Sequence, residues 1–264
     1  MSGLNMAVLG IDIGSRTIGV VVLNESGEMI SGRVFDSGPR PLERAREIAG
    51  DLSQYRHIVA TGYGRHGARA DFATDLITEI KAHALGASYL FPSCRTVLDI
   101  GGQDSKVIRL NEHGRVVDFI MNDRCAAGTG KFLEVMAQSL GLPLEEMVAA
   151  AAQSEEKVLL NSMCTVFAES EVVSLLAEGQ PVGVVARAVL NSICDRAQNM
   201  LSRMGIVPPV VFTGGVAAIP GLPAYFARRA GLPDLLVPTS PQLVGALGAA
   251  LYGAGIEVKG KATG

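Results

Sequence analysis

The pattern of hydrophobic and polar positions occurs twice along the chain, at a constant offset of 87 residues that pairs Asp12 with Asp99. In each copy an apolar run ends in Asp-x-Gly, a second apolar run follows, and an Asn-Glu-x-Gly segment closes the motif. The copies cover residues 11–30 and 98–117 and align without a gap. Apolar runs bounded by such turn residues are typical of strands, so the pattern predicts a duplicated β-hairpin. Either hairpin alone could be an ordinary pair of strands, and the gapless pairing favours a shared function.

Apolar residues at helical spacing separate and follow the two hairpins. Helices are predicted over residues 41–52, 76–89, 128–140, 144–152, 166–178, 181–204 and 243–252. Further strands are predicted over residues 58–62, 116–121 and 210–213. Strands alternating with helices indicate an α/β fold of two related domains with a cleft between them. We expect the first domain at residues 1–94, the second at 95–242, and the C-terminal segment 243–264 packed back on the first.

The Asp-x-Gly turns have the chemistry of a site for a metal-bound polyphosphate. Glycine at the end of a strand leaves backbone N–H groups free to turn toward an anion, and the aspartate can hold a hydrated cation. Two such hairpins facing each other would hold the polyphosphate from both sides. A third turn, Thr213-Gly214-Gly215, follows an apolar strand and would let a flat ring or a sugar approach the backbone closely. Taken alone, this third turn is equally typical of a simple strand-to-helix connection.

Composition and charge narrow the function classes. The chain has 264 residues, of which 48% are hydrophobic and 19% charged, enough for substantial cores. A net charge of −3 and a pI near 5.8 give no electrostatic reason to expect nucleic acid or an anionic membrane. The mean hydropathy of +0.30 is high, yet the apolar stretches are too short or too interrupted to span a bilayer. With no signal-peptide pattern at its N-terminus, the protein is expected to be cytoplasmic.

The order of the glycine turns, followed by Gly245-Ala246-Leu247-Gly248-Ala249, resembles the actin, sugar kinase and heat-shock ATPase superfamily. Longer strings resemble one branch of it, the activators of 2-hydroxyacyl-CoA dehydratases, whose close relatives are the ATPase subunits of benzoyl-CoA reductase. These strings are ATGYGR at 60–65, DIGGQD at 99–104, NDRCAAGTG at 122–130 and CTVFAESEV at 164–172. The resemblance covers nearly the whole chain.

The resemblance implies two actin-like, ribonuclease H-like domains and a homodimer that carries one oxygen-sensitive [4Fe-4S] cluster. It also implies ATP hydrolysis coupled to low-potential electron transfer into a dehydratase or a related reductase, with ferredoxin or flavodoxin as the electron donor. The chain departs from many superfamily members at Ile18 and Gly19, where those carry Lys or Thr. The Pro-rich segment 218–235 is a second departure, expected to alter the adenine pocket. Because benzoyl-CoA reductase relatives pair different subunits, a heterodimer stays open.

The nucleotide site expected from these motifs combines all three turns. Phosphates are expected at Gly14, Ser15, Arg16 and Thr17 and at Gly101, Gly102, Gln103 and Asp104, and adenosine at Gly214 and Gly215. Asp12 and Asp99 are the candidates for the Mg²⁺ shell, mostly through water, because Mg²⁺ gives up its hydration reluctantly. Either Asp104 or Gln103 would orient the attacking water, and the sequence does not rank them.

Four cysteines, at 94, 125, 164 and 194, include no Cys-x-x-Cys pair. A cubane cluster needs four thiolates, so one chain would supply all four or two chains would supply two each. Cys125 and Cys164 precede predicted helices, whose N-terminal amides and dipole favour a thiolate and a negatively charged cluster. Cys94 and Cys194 are typical of ordinary buried thiols. We therefore expect Cys125 and Cys164 to be cluster ligands shared across a dimer.

Other readings remain open at this stage. Four thiolates alone are also compatible with zinc. A small sugar or acyl kinase, or a nucleotide sensor of the same superfamily, would use the same turns without needing cysteines at helix ends.

Overall fold

The computed structural model describes residues 7–123, 126–156, 158–160 and 164–256. Its strands are β1 Ala7–Ile13, β2 Thr17–Leu23, β3 Met29–Asp36, β4 Tyr55–Thr61, β5 Asp75–Leu76, β6 Thr96–Ile100, β7 Ser105–Leu110, β8 Val116–Asn122 and β9 Val210–Thr213. Its α-helices are α1 Pro41–Ala49, α2 Arg65–Asp71, α3 Glu79–Leu90, α4 Gly130–Ser139, α5 Leu144–Gln153, α6 Thr165–Ala177, α7 Val182–Met204, α8 Leu222–Ala230 and α9 Val244–Gly253. In these ranges no helix is both long and apolar enough to cross a membrane.

The first sheet has the strand order β3-β2-β1-β4-β5, with β1 antiparallel to β2 and parallel to β4. Alternate residues of β1 face opposite sides of the sheet, so Leu9 and Ile11 pack in the core cluster that contains Ala45 of α1. The other side is covered by α9, which contacts β1, β2, β4 and α3. A Cβ at Gly10 would collide with the backbone of Ala246, so glycine permits this close approach of strand and helix.

The second sheet repeats the strand order of the first. Its strands are ordered β8-β7-β6-β9, and a parallel bridge joins Val211 of β9 to Leu236. In this arrangement β6 to β9 take the places of β1 to β4, and the segment at Leu236 takes the place of β5. Phe212 of β9 packs against Phe226 of α8, with ring centroids 5.5 Å apart, in a core shared with α4, α5 and α7. The duplication seen in the hairpins therefore extends to the order of the whole sheet.

Two compact units divide the chain. The first contains the N-terminal part up to Val97, the segment Ile108–Phe119 and the segment from Pro238 onward. The second contains Leu98–Val107 and Ile120–Val237. This division passes through the second hairpin, and the domain limits drawn from the sequence at residues 94 and 242 stay a prediction.

The hydrophobic pattern did not predict four of the described elements, which are β3, β5, α2 and α8. β3 is an edge strand with exposed residues along most of its length, so it shows no alternation. α2 is seven residues long and buries only Ala68. The Pro-rich segment contains α8, which begins after the left-handed Gly221 with Pro223 in its first turn and ends at the left-handed Gly231. Proline and glycine here mark the two ends of a helix and do not prevent it from forming.

Candidate functional site

The first Asp-x-Gly turn is a closed loop between β1 and β2. The Gly14 N–H donates to the Thr17 carbonyl oxygen at 3.0 Å, and a Cβ on Gly14 would lie 2.8 Å from the same oxygen. Ser37, which is buried just after β3, donates through Oγ to the Gly14 carbonyl at 2.7 Å and through its N–H to the Arg16 carbonyl at 3.0 Å. Ser15 is half-buried between them, and Arg16 is exposed. Ser37 thus holds the backbone of the turn, while Ser15 and Arg16 keep exposed surface.

Asp12 lies at the end of β1 in a slot formed by two glycines and a histidine. A Cβ at Gly62 would collide with Asp12 Oδ1, and a Cβ at Gly245 would collide with Asp12 Oδ2. His83 of α3 is buried, with its Nε2 4.0 Å from Asp12 Oδ2. The Asp12 side chain keeps 16% of its surface exposed. A partly exposed carboxylate held by close backbone approach can hold a hydrated cation.

The second Asp-x-Gly turn has the same backbone closure as the first. The Gly101 N–H donates to the Asp104 carbonyl oxygen at 2.9 Å, the contact that Gly14 and Thr17 make 87 residues earlier. Gly102 is half-buried and Gln103 is exposed. The two hairpins therefore share a turn geometry as well as a sequence pattern.

The Asp99 carboxylate contacts a buried lysine and a buried threonine. Lys106 Nζ lies 3.2 Å from Asp99 Oδ2, and Thr213 Oγ1 donates to Asp99 Oδ1 at 2.9 Å. The same Lys106 Nζ lies 2.8 Å from Asp104 Oδ1. Lys106 and Asp99 are buried, whereas the Asp104 side chain is 26% exposed. Asp99, Lys106, Asp104 and Thr213 thus form one network of polar contacts.

The third glycine turn lies directly against this cluster. Gly214 follows the fully buried β9 with a φ of 90°, a left-handed conformation that favours glycine. A Cβ there would collide with the Ile100 carbonyl oxygen and lie 2.8 Å from Asp99 Oδ1. Thr213 and Gly214 of this turn therefore join the second Asp-x-Gly turn within one unit.

Of the expected cluster ligands, Cys164 is described and Cys125 lies outside the described residues. Cys164 is exposed and caps the N-terminus of α6, as the sequence predicts. The next residue, Thr165, has a buried Oγ1 without a hydrogen-bond partner in the described part of the chain. By contrast, burial raises the pKa of both Cys94 and Cys194 to about 12, which keeps them as neutral thiols.

The helix after Cys125 begins later than the sequence pattern indicates. α4 starts at Gly130, five residues beyond Cys125, rather than at residue 128. Its first amides are bonded within the protein: the Gly130 N–H donates to the Gly101 carbonyl at 2.8 Å and the Lys131 N–H to the Gly102 carbonyl at 2.9 Å. These two amides thus bind the second Asp-x-Gly turn, and the expectation for the Cys125 thiolate stays a prediction, because Cys125 lies outside the described residues.

Three contributors to the site were missed from the sequence: Ser37, His83 and Lys106. His83 belongs to no His-x-x-x-His pair that would mark it in the sequence, and Ser37 follows a strand that the pattern does not predict. Lys106 could have been predicted from the sequence, because it is a lysine within a predicted apolar strand and a buried lysine needs a charged partner. Its counterpart in the first copy, Gly19, was the position noted above as a departure.

Comparisons with known proteins show the family of the chain. Residues 9–253 match the BadF/BadG/BcrA/BcrD ATPase family. The chain is 43% identical over 257 residues to the activator of lactoyl-CoA dehydratase of Anaerotignum propionicum, a similarity that covers 94% of this chain and 97% of that protein.

Two solved structures are similar over almost the full length. The Acidaminococcus fermentans (R)-2-hydroxyglutaryl-CoA dehydratase component A has a TM-score of 0.88 at 36% identity and covers 96% of this chain and 100% of its own. The activator of the 2-hydroxyisocaproyl-CoA dehydratase from Clostridium difficile, solved with bound ADPNP, has a TM-score of 0.85 at 38% identity and covers 95% of each chain. These similarities confirm the expected α/β actin-like fold. The chain belongs to the BadF/BadG/BcrA/BcrD ATPase family and is an ATPase.

Proposed function

We propose that this ATPase uses ATP hydrolysis to drive an electron from a [4Fe-4S] cluster into a 2-hydroxyacyl-CoA dehydratase or a benzoyl-CoA reductase-type partner. The observation that carries the proposal is the placement of Cys164, exposed at the start of α6, while the other two described cysteines are buried. The lactoyl-CoA dehydratase activator, similar over 94% of the chain, supports the choice of partner. Ferredoxin or flavodoxin is the proposed electron donor.

Nucleotide binding is assigned to the three glycine turns. Residues 14–17 and 101–104 contact the phosphates, and Gly214 and Gly215 contact the adenosine. Free backbone N–H groups at such turns bind phosphate oxygens. The ADPNP bound to the related 2-hydroxyisocaproyl-CoA dehydratase activator supports this assignment.

The Mg²⁺ shell is assigned to Asp12 and Asp99, mostly through water. Asp12 is the better placed of the two, because its side chain keeps 16% of its surface exposed whereas Asp99 is buried. For the attacking water we favour Asp104 over Gln103, since Lys106 fixes one oxygen of the Asp104 carboxylate.

The residues around Cys164 fit a cluster shared by two chains. The N-terminus of α6 provides amides and a positive dipole end that stabilise thiolate and the negative charge of a cluster. The orphan hydroxyl of Thr165 is one donor that a sulfur could accept from. With Cys125, each chain would contribute two thiolates, and the bound cluster would supply one-electron transfer at low potential.

Exposed apolar side chains on α6 support a homodimer as the state that completes this site. Val166, Phe167 and Val173 are 66%, 68% and 54% exposed. Apolar side chains gathered on one helix are typical of an interaction surface. Packed against a second copy, they would also exclude water from Cys164.

Coupling between nucleotide and cluster is supported by the start of α4. Its first two amides bind the carbonyl oxygens of Gly101 and Gly102, and α4 packs against α6. A change in the second turn on loss of the γ-phosphate would therefore move α4, and with it the neighbouring helix that Cys164 caps.

The test compares Cys164→Ser with the matched control Cys194→Ser, both purified anaerobically. We expect Cys164→Ser to lose iron and sulfide and to fail to activate its partner, while it still binds ADP. Cys194→Ser should keep the cluster, because its thiol is buried and protonated. A Cys164→Ser protein with full iron content, or a colourless wild type with stoichiometric zinc, would overturn the cluster assignment. A kinase of the same superfamily would keep its activity in both variants.

A further inference from the structure

We infer that Lys106 is a positioning residue for ATP hydrolysis, which holds the Asp104 carboxylate on the second Asp-x-Gly turn in the orientation that the attacking water needs. This inference rests on the role proposed for Asp104. Lys106 lies on β7, just beyond the turn, and its ammonium reaches Asp104 Oδ1 at 2.8 Å.

Burial makes this contact a fixed one. Lys106 is completely buried, and a buried ammonium is stable only when it is paired. Asp99 and Asp104, which its ammonium contacts, come from either side of the turn. With Thr213 bonded to Asp99, a continuous chain of contacts runs from the third glycine turn through Asp99 and Lys106 to Asp104. Asp104 is the partly exposed end of this chain, and therefore the end that can reach a water molecule.

Comparison of the two copies shows that Lys106 is not needed merely to close the turn. Both turns are closed by the same backbone hydrogen bond, at 3.0 Å in the first copy and 2.9 Å in the second. In the first copy the position of Lys106 is taken by Gly19, and that of Asp104 by Thr17. The first turn thus closes without a lysine, so Lys106 acts on the Asp104 carboxylate rather than on the backbone.

The first copy has no room for such a lysine. A Cβ at Gly19 would lie 3.1 Å from the Gln242 carbonyl oxygen and 3.5 Å from the Ala246 Cβ of α9. The charged support is therefore specific to the second copy, which is the copy proposed to orient the water. The rival explanation is that Lys106 only neutralises the buried Asp99.

The experiment measures ATP turnover and ADP affinity in the anaerobically purified holoenzyme. Lys106→Met should lower kcat by about 100-fold, because a misplacement near 1 Å has effects of that size. The Kd for ADP should stay at the wild-type value. The exposed Lys81→Met serves as the control and should change neither quantity.

Two further variants separate positioning from charge neutralisation. Lys106→Arg keeps a positive charge beside Asp99, so it keeps the test valid where Lys106→Met alone fails to fold. We expect it to leave kcat low, because a planar guanidinium does not hold the Asp104 carboxylate as the ammonium does. Asp104→Asn should reproduce the loss, and adding Lys106→Met to it should cause no further loss, since residues acting as one unit are not additive.

A wild-type kcat in Lys106→Arg together with a low kcat in Lys106→Met would show that Lys106 only neutralises Asp99, and would overturn the inference. So would a normal kcat in Lys106→Met when Asp104→Asn is inactive. Wild-type turnover in Asp104→Asn is a separate result, which would remove the proposed role of Asp104 itself.

Discussion

Close backbone approach shapes the surroundings of Asp12. Gly62 comes from the loop after β4 and Gly245 from the first turn of α9, and each lies where a methyl group would collide with a carboxylate oxygen. Both glycines belong to strings that carried the family resemblance. Their physical role is to bring two distant backbones against one side chain.

Gly245→Ala should therefore displace the Asp12 carboxylate. We expect ATP turnover to fall by at least about tenfold, because the metal shell is misplaced, and the Mg²⁺ concentration for half-maximal activity to rise. Gly253→Ala on the same helix is the control, since its Cβ would meet only side chains, Val59 at 2.6 Å and Val8 at 2.8 Å. It should lower stability without changing the Mg²⁺ dependence. An unchanged Mg²⁺ dependence in Gly245→Ala would contradict a metal role for Asp12.

The buried thiols predict two pH effects. Burial raises the pKa of Cys94 and Cys194 from 9.0 to about 12, so in the cluster-free protein alkylation at about pH 8 should modify Cys164 and spare both.

The raised pKa of these thiols also makes the stability of the protein depend on pH. A pKa raised by folding stabilises the protein fully below pH 9.0, and this stabilisation is lost as the pH rises toward 12. Urea unfolding should therefore show falling stability across that window, and Cys194→Ser should flatten the fall. Rapid labelling of Cys194 in the folded protein would refute the burial argument.

At the residue scale, the sequence predicted turns better than it predicted their supports. The two Asp-x-Gly motifs are visible in the sequence because the residues of each are contiguous. These residues are Asp12 and Gly14 in the first motif and Asp99 and Gly101 in the second. His83 reaches Asp12 from 71 positions away along the chain, and no local pattern encodes a contact of that kind. Only the placement of α3 by the fold brings them together.

At the scale of elements, β3 has an importance that its exposed surface conceals. It is the edge strand of the first sheet, and it delivers Ser37 to the back of the first Asp-x-Gly turn. Its lack of alternation explains why the pattern did not predict it. α2 and α8 escaped for related reasons, one being too short and polar and the other being bounded by glycine and proline.

Ser37→Ala tests this support. Losing the Oγ bond to the Gly14 carbonyl should cost about 1 kcal/mol of unfolding free energy and weaken ADP binding, because the turn loosens. Urea unfolding and titration calorimetry measure the two effects. Ser53→Ala, which removes an exposed hydroxyl bonded to Asp51, should leave ADP affinity unchanged. Wild-type ADP affinity in Ser37→Ala would show that the turn holds its shape unaided.

At the scale of the whole molecule, the two sheets share one strand order but differ in the residue that lies beside the aspartate at the strand end. In the second unit Lys106 neutralises the aspartate at the strand end, whereas in the first unit Asp12 lies beside His83. The sequence predicted the duplication but not this asymmetry, which depends on what packs against each hairpin. The two Asp-x-Gly turns thus differ in their surroundings despite a shared backbone geometry.

The proposed homodimer gives the whole-molecule prediction. Val173 lies two turns along α6 from Val166, on the same exposed stripe and away from Cys164. Val173→Glu should therefore break the dimer in sedimentation experiments and, as a consequence, reduce the iron content. Ile30→Glu on β3, also an exposed apolar position at 60%, should sediment as the wild type does. A Val173→Glu dimer of normal stability would place the interface elsewhere.

The position of α9 has a consequence for biosynthesis. This helix, drawn from residues 244–253, fills the glycine-lined face of strands made from residues 7–23 and 55–61. During translation the first strands emerge long before the helix that covers them, so their apolar face stays uncovered until residues 244–253 have been made. The second unit, whose segments all precede α9, can complete its core earlier. We therefore expect the core of the second unit to form before α9 covers the first sheet.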